Sequence, residues 1–236
     1  TNDNYIGQEG MPMQPIDVDK TYHFFNPRAG VSYRLGERNS FFFSFAVAQK
    51  EPTRGDFTDR YMFTADYTYP SSEKLYDWEL GYTYTAPRLS LGVNLYYMKY
   101  KDQLVPMGRI NDGYDALNDN VDDSYRRGVE LSASWKVTGW FTASANATFS
   151  QNRIENYVDA LKDSPTYGKE LGDMTIAYSP DVIANAFLNF HHRGFEAVFH
   201  TQHVGKQYFT NNENDALSLD AYCVTNLNLA YTFRTR

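Results

Sequence analysis

An all-β chain folded as an antiparallel transmembrane β-barrel is what these 236 residues predict, on three observations. Apolar and polar residues alternate in period-2 runs along the whole chain, while helical periodicity of useful length appears nowhere. The runs reach about 12–16 residues, beyond an ordinary soluble strand of about 5–6 and beyond the roughly 9–11 that cross hydrocarbon. Connections alternate between tight turns and long polar loops, so every long connection falls at one end.

Nine strands are expected, near 22–35, 39–50, 73–86, 88–104, 122–137, 140–157, 176–191, 194–209 and 219–234. In the third, Tyr76, Trp78, Leu80, Tyr82 and Tyr84 alternate with Asp77, Glu79, Gly81, Thr83 and Thr85. The fourth resumes the pattern as Leu89, Leu91, Val93, Leu95 and Tyr97. The fifth sets Val129, Leu131, Ala133, Trp135 and Val137 against Arg126, Gly128, Glu130, Ser132, Ser134 and Lys136. In the sixth, Phe141, Ala143, Ala145, Ala147 and Phe149 face away from Thr142, Ser144, Asn146, Thr148 and Ser150. The ninth carries Cys223, Leu227, Leu229, Tyr231 and Phe233 on its apolar side. One face suits lipid and the other a wet lumen.

The strands join in pairs through "GER" at 36–38, "APR" at 86–88, "TG" at 138–139 and "RG" at 193–194. Polar loops of the opposite end contain "EPTRGDFTDRYMFTADYTYPSS", "VPMGRINDGYDALNDN", residues 158–175 and "TNNENDALS". Short turns on the periplasmic side and long loops outside are the habit of outer-membrane barrels. An odd strand number with two open edges does not close, so a piece of a larger barrel is expected.

Composition agrees. Aromatic residues are abundant, with 20 Tyr, 16 Phe and 3 Trp, and Tyr and Trp suit boundaries between apolar and wet surroundings. A net charge of -7 without a basic cluster points away from nucleic acid. The single cysteine, Cys223, excludes an internal disulfide and suits an apolar, lipid-facing position. The N-terminus shows no basic or apolar leader pattern.

The segments "YHFFNPRAGVSYRL", "AVAQKEPTRGDF", "EKLYDWELGYTY", "RLSLGVNLYYMKYKDQL" and "DSYRRGVELSASWKVTGWFTASANATFSQNRI" follow one another in an order that resembles TonB-dependent receptors. The resemblance runs from Tyr22 to Phe233 and matches the C-terminal part of that family's barrel. It implies a parent of about 22 strands with a plugged lumen, seated in the lipid of a Gram-negative outer membrane. It also implies uptake of an iron–siderophore, haem, cobalamin or glycan, driven through a TonB complex. The sequence departs from the family in showing no plug, no TonB-box segment and no terminal strand ending in an aromatic residue. Residues 1–236 are therefore expected to be a partial barrel domain, with transport belonging to the parent. A surface adhesin or structural barrel is the alternative, and a barrel enzyme or a soluble β-sandwich are further ones.

No nucleophile–base, nucleotide or zinc pattern occurs in its required context, and no cofactor is expected. His200 and His203, three apart on a strand, point to opposite faces and cannot share a metal without a bulge. "INDGYDALNDNVDDS", with Asp112, Asp115, Asp119, Asp122 and Asp123, reads as a solvated acidic loop, divalent-cation binding being the other reading. Phe57, Tyr61, Phe63, Tyr67 and Tyr69 either stack on a ligand or pack their loop on itself. Ligand contact is expected from lumen-facing residues near the outer mouth: Asp77, Met98, Arg126, Asn152, Gln202 and Tyr222. Tyr61 and Arg54 join them from the loop between the second and third strands, Arg54 as an anion donor or as half of a loop-fixing ion pair.

Overall fold

The computed structural model describes residues 5–6, 14–15, 19–61, 69–110, 116–161 and 164–233. Nine long strands lie side by side in chain order: β1 (Arg28–Leu35), β2 (Asn39–Lys50), β3 (Glu73–Thr85), β4 (Leu89–Ile110), β5 (Ala116–Lys136), β6 (Phe141–Ile154), β7 (Val182–His192), β8 (Phe195–Val204) and β9 (Tyr222–Tyr231). Each is antiparallel to the next, and the short pair Met174–Thr175 adds to the far end of β6.

Turn chemistry sets the register. Arg193 (φ 50°) and Gly194 (φ 85°) make the two-residue connection of β7 and β8, both in the left-handed region; that backbone twist matches the twist of paired strands. Gly36 takes φ 65° at the β1–β2 turn. At the β3–β4 turn, Ala86 and Leu89 exchange backbone hydrogen bonds of 2.7 and 3.3 Å across Pro87–Arg88.

Register then carries each face across the sheet. One row runs Phe43, Leu80, Leu95, Val129, Phe149, Val182, and the next outward row is Phe41, Tyr82, Val93, Leu131, Ala147, Ala184, His203, Cys223. The opposite face carries Thr83, Gly92, Ser132, Asn146, Asn185 and Gln202 in one row. Two aromatic belts bound the apolar face. The upper one links Phe45, Trp78, Tyr97 and Tyr125, with ring centroids 5.3, 5.7 and 6.4 Å apart. The lower one contains Trp135 and the stacked Trp140, Phe141 and Phe190. From Leu89 to Tyr97 is eight positions of β4. At about 3.3 Å per residue and a tilt of about 40°, that is about 20 Å of membrane normal, near the roughly 25 Å apolar band of such barrels.

Several boundaries depart from the sequence expectation. Residues 22–27 run beside β2, with Val47 N–H donating to the Pro27 carbonyl at 2.9 Å, but join no ladder. Pairing of β4 with β5 continues to Pro106–Asn118 and resumes at Ile110–Ala116, so much of the expected acidic loop is strand. Asp119, Asp122 and Asp123 stand on β5, whereas Asp112 and Asp115 lie outside the described residues. Residues 176–181 belong to a loop that ends in Ser179–Pro180–Asp181, where proline supplies no ladder donor. β8 stops at Val204 and β9 begins at Tyr222; between them Gln207–Tyr208 pairs with Ser218–Leu219.

A helix also appears where none was expected, α1 (Arg54–Tyr61). Thr53 and Asp56 form a capping box. The Asp56 N–H donates to Thr53 Oγ1 at 3.4 Å, and the Thr53 N–H donates to Asp56 Oδ2 at 2.7 Å. Asp56 Oδ1 accepts from Asn118 Nδ2 at 3.0 Å, which fixes the helix to β5. The spacing Thr53-x-x-Asp56 was the available signal; the helix is simply too short to show periodicity.

Candidate functional site

Above the upper belt the connections fold into a cap with its own small core of Val105, Ile154, Tyr157 and Ile176, against which Val121, Leu171 and Met174 pack. Asn211, 2% exposed, ties two segments of this cap together. Its Nδ2 donates to the Pro106 carbonyl at 2.7 Å, and its Oδ1 accepts from the Ala177 N–H at 2.7 Å. Asp159 does similar work in the 155–168 segment. It accepts from Thr166 Oγ1 (2.6 Å), the Leu161 N–H (3.0 Å) and Asn212 Nδ2 (3.1 Å). Burial pushes the Asp159 carboxyl up, but the donors Ser164, Thr166, Leu161 and Asn212 outweigh it and hold the group below the usual carboxylate range.

Between the β4–β5 extension and the 155–168 segment is a cavity of about 480 Å³. Val105, Val121, Tyr157 and Tyr167 give it apolar and aromatic walls, and Asp119 and Asp122 give it carboxylates. Its size falls in the range of small-molecule pockets, roughly 300–1,000 Å³.

Four of the expected contact residues share one cross-strand row on the polar face. Asp77 opposes Met98, Met98 opposes Arg126, and Arg126 opposes Asn152. Arg126 Nη1 donates to Asn152 Oδ1 at 3.4 Å and to Ser179 Oγ at 3.3 Å. Asp77 Oδ1 and Asn94 Oδ1 are buried acceptors without a partner among the described residues.

The other expected residues lie elsewhere. Gln202 and Tyr222 stand in the rows that reach β3 at Thr83 and Gly81, displaced along the strand from Asp77. Arg54 opens α1 and is exposed; Tyr61 closes that helix, and its side chain lies outside the described residues. None of the seven whose side chains are described lines the cavity. Sequence reasoning missed Asn211 and Asp159, which sit in polar stretches where no pattern marks a buried position. Among the loop aromatics, Phe57 lies 6.2 Å from Tyr69, and Lys20 Nζ stands 4.7 Å from the Tyr69 ring centroid. Those two pack within the loop; Phe63 and Tyr67 lie outside the described residues.

His200 and His203 are on opposite faces, as their spacing required. His200 stacks on Phe187 at 4.2 Å on the polar face, and His203 Nδ1 is 3.3 Å from Cys223 Sγ on the apolar one.

A sequentially wound antiparallel sheet, banded with apolar residues outside and polar inside and capped at one end only, is a section of a membrane β-barrel. The chain belongs to the TonB-dependent receptor family: the family described as TonB dependent receptor-like, beta-barrel, matches residues 2–236.

Solved structures of similar fold include the ferric yersiniabactin uptake receptor FyuA from Yersinia pestis, with 18% identity, TM-score 0.62, and coverage of 86% of this chain and 29% of that one. The ferric-catecholate import receptor Fiu from K12 E. coli gives 16% identity, TM-score 0.64, and coverage of 96% and 32%. The copper transporter OprC gives 16%, 0.63, 86% and 31%. The chain thus spans about a third of the length of these structures, and the nine long strands among its described residues form a partial barrel.

Proposed function

We propose that this chain is the ligand-selecting part of an outer-membrane receptor that imports a small molecule or oligosaccharide across a Gram-negative outer membrane. The observation that carries the proposal is the pairing of a polar inner face with a folded outer cap containing a cavity of ligand size. A barrel that only anchored a surface structure would have no use for both. An iron–siderophore fits the named cargoes of FyuA and Fiu, and metal cargo more broadly fits OprC; haem, cobalamin and glycans are the other classes in view.

Asp77, Met98, Arg126 and Asn152 form the inner contact row in this reading, with Gln202 and Tyr222 across the sheet and Arg54 and Tyr61 at the mouth. The unpartnered acceptors Asp77 and Asn94 suit a plug supplied by another part of the parent, through which a TonB complex would act. Cargo movement then needs binding and gating and no covalent chemistry in this chain.

The test is growth-dependent or radiolabelled uptake by the full-length parent, with and without its energy-coupling complex. Uptake that disappears with the complex is expected. Uptake indifferent to that deletion would refute energy-coupled import, and binding to a host protein without any uptake would favour the adhesin reading.

A further inference from the structure

The cap cavity is charged as well as sized for a ligand. Asp119, Asp122, Asp123, Glu155 and Asp159 line it, and among the described residues no Lys, Arg or His does. Asp123 and Glu155 are already answered by cations. Asp123 accepts from Lys99 at 2.9 Å and from Lys101 at 2.6 Å, and Glu155 pairs with Lys99. Asp159 differs. It is 1% exposed, and its donors Thr166 Oγ1, the Leu161 N–H and Asn212 Nδ2 are all neutral. They satisfy its hydrogen bonding and keep it ionised, but among the described residues no cation stands in ion-pair range of it. A buried charge without a counter-charge is costly. A cation entering the adjoining space recovers part of that cost, where the low local dielectric strengthens the attraction.

The walls suit an organic cation better than a metal ion. Tyr157, 6% exposed, and Tyr167 line the cavity beside Val105 and Val121, and aromatic faces attract ammonium and guanidinium groups. Asp122 contributes a half-buried carboxylate from β5. Among the described residues no three His, Cys, Asp or Glu side chains gather as metal ligands do. An anionic cargo would meet Asp122 and Asp159 as like charges, with no basic lining residue to offset them.

We propose that the cap cavity seats a cationic group of the cargo, an amine or guanidinium on a small organic molecule. Asp122 makes the direct contact, Asp159 supplies the buried counter-charge, and Tyr157 and Tyr167 flank the bound group. The proposal rests on the ligand-selecting reading above and narrows its cargo. Its test uses the full-length parent in detergent and probes that share one phenylethyl body: phenethylamine (cationic), phenethyl alcohol (neutral) and hydrocinnamate (anionic). Ligand-observed NMR titration gives the affinities. Phenethylamine should bind about tenfold more tightly than phenethyl alcohol, and hydrocinnamate most weakly. D122N should weaken phenethylamine about tenfold and leave phenethyl alcohol unchanged, and D159N should do the same. If D159N weakens every probe alike, the cap itself has opened and D122N decides. D220N, which removes an exposed carboxylate outside the cavity, should match the unmodified protein. Equal binding of the probes, binding of none, preference for the anion, an unchanged phenethylamine affinity in D122N, or an equal loss in D220N would each overturn the proposal. Unheated electrophoresis checks that each variant is a folded barrel. Amine preference with energy-independent uptake would refute import and not this selectivity; energy-coupled uptake without amine preference would refute the selectivity alone.

Discussion

Replacing Asn211 with alanine should open the cap and leave the barrel wall intact. The side chain makes two 2.7 Å hydrogen bonds, one to the Pro106 carbonyl and one from the Ala177 N–H, and is 2% exposed. Truncation leaves a donor and an acceptor of the main chain buried and unpaired. Each such group costs about 1–3 kcal/mol, and the carbonyl end of that range is lower if water reaches it. A total of about 2–4 kcal/mol raises the population of the open cap by about thirtyfold or more.

The cost is local, because segments this exposed open independently of the sheet beneath them. The assay is amide hydrogen exchange on the full-length parent, read at Ala177 and at residues 205–221, alongside limited proteolysis of the same loops. Faster exchange there, with unchanged exchange in β3–β6, is the expected result. Unchanged exchange at Ala177 would refute the claim that Asn211 holds the cap, and a uniform loss across the strands would refute its independence from the wall.

Three other outcomes follow from the same geometry. The Asp159 carboxyl is held below its ordinary range, so its contribution to the cap is fully present at neutral pH and is lost as pH falls through that lowered value. The protection of the Leu161 and Gly168 amides, corrected for the intrinsic pH dependence of exchange, should therefore be flat down to about pH 4 and fall only below it; a loss of protection between pH 7 and 5 would contradict the network. A Cβ at Gly81 would stand 1.9 Å from Phe42 Cε1, so Gly81→Ala should destabilise the barrel by about 1–3 kcal/mol in reversible denaturation. Adding Phe42→Ala should recover part of that loss, and strict additivity of the two would exclude the contact. Arg126→Ala removes the guanidinium of the inner row, so ligand affinity measured by calorimetry on the parent should fall about tenfold or more while the unheated electrophoretic band stays in place; unchanged affinity would remove Arg126 from the contact set.

The wall was legible because its physics is written in period two. Each strand's apolar set, and the paired turns that hold register, can be read without knowing what the strand touches, and Trp78 to Val129 fall on one face as the alternation requires. The cap was not. Val105 and Asn118 look like loop residues because β4 and β5 continue beyond the membrane, where nothing enforces lipid-facing alternation. Asn211 and Asp159 are buried by partners more than fifty residues away, at Pro106 and Asn212. A polar residue that becomes buried through distant contacts has no local signature. The inner row stands between these cases: its face was readable, but the alignment of Asp77, Met98, Arg126 and Asn152 depends on register fixed by the turns.

Under the proposed function, that division bears on where selectivity is built. The sheet has lipid on one side and an open polar face on the other, so its ladder hydrogen bonds and outer apolar band specify it without a conventional core. The buried apolar residues of the described chain, among them Val105, Ile154, Tyr157, Ile176 and Val204, gather at the upper strand ends and in the loops above. Packing constraints therefore act on the cap, and membrane constraints act on the wall. The cap can change its cavity through Tyr157 or Tyr167 without altering a residue of the apolar band, because Asn211 and Asp159 hold it by contacts among the loops and the upper end of β4. The inner row lacks that freedom, since Arg126 shares its strand with the outward Val129 and Leu131. Under the proposed function, cargo identity should therefore be decided by the cap, with the row beneath it supplying a fixed polar floor.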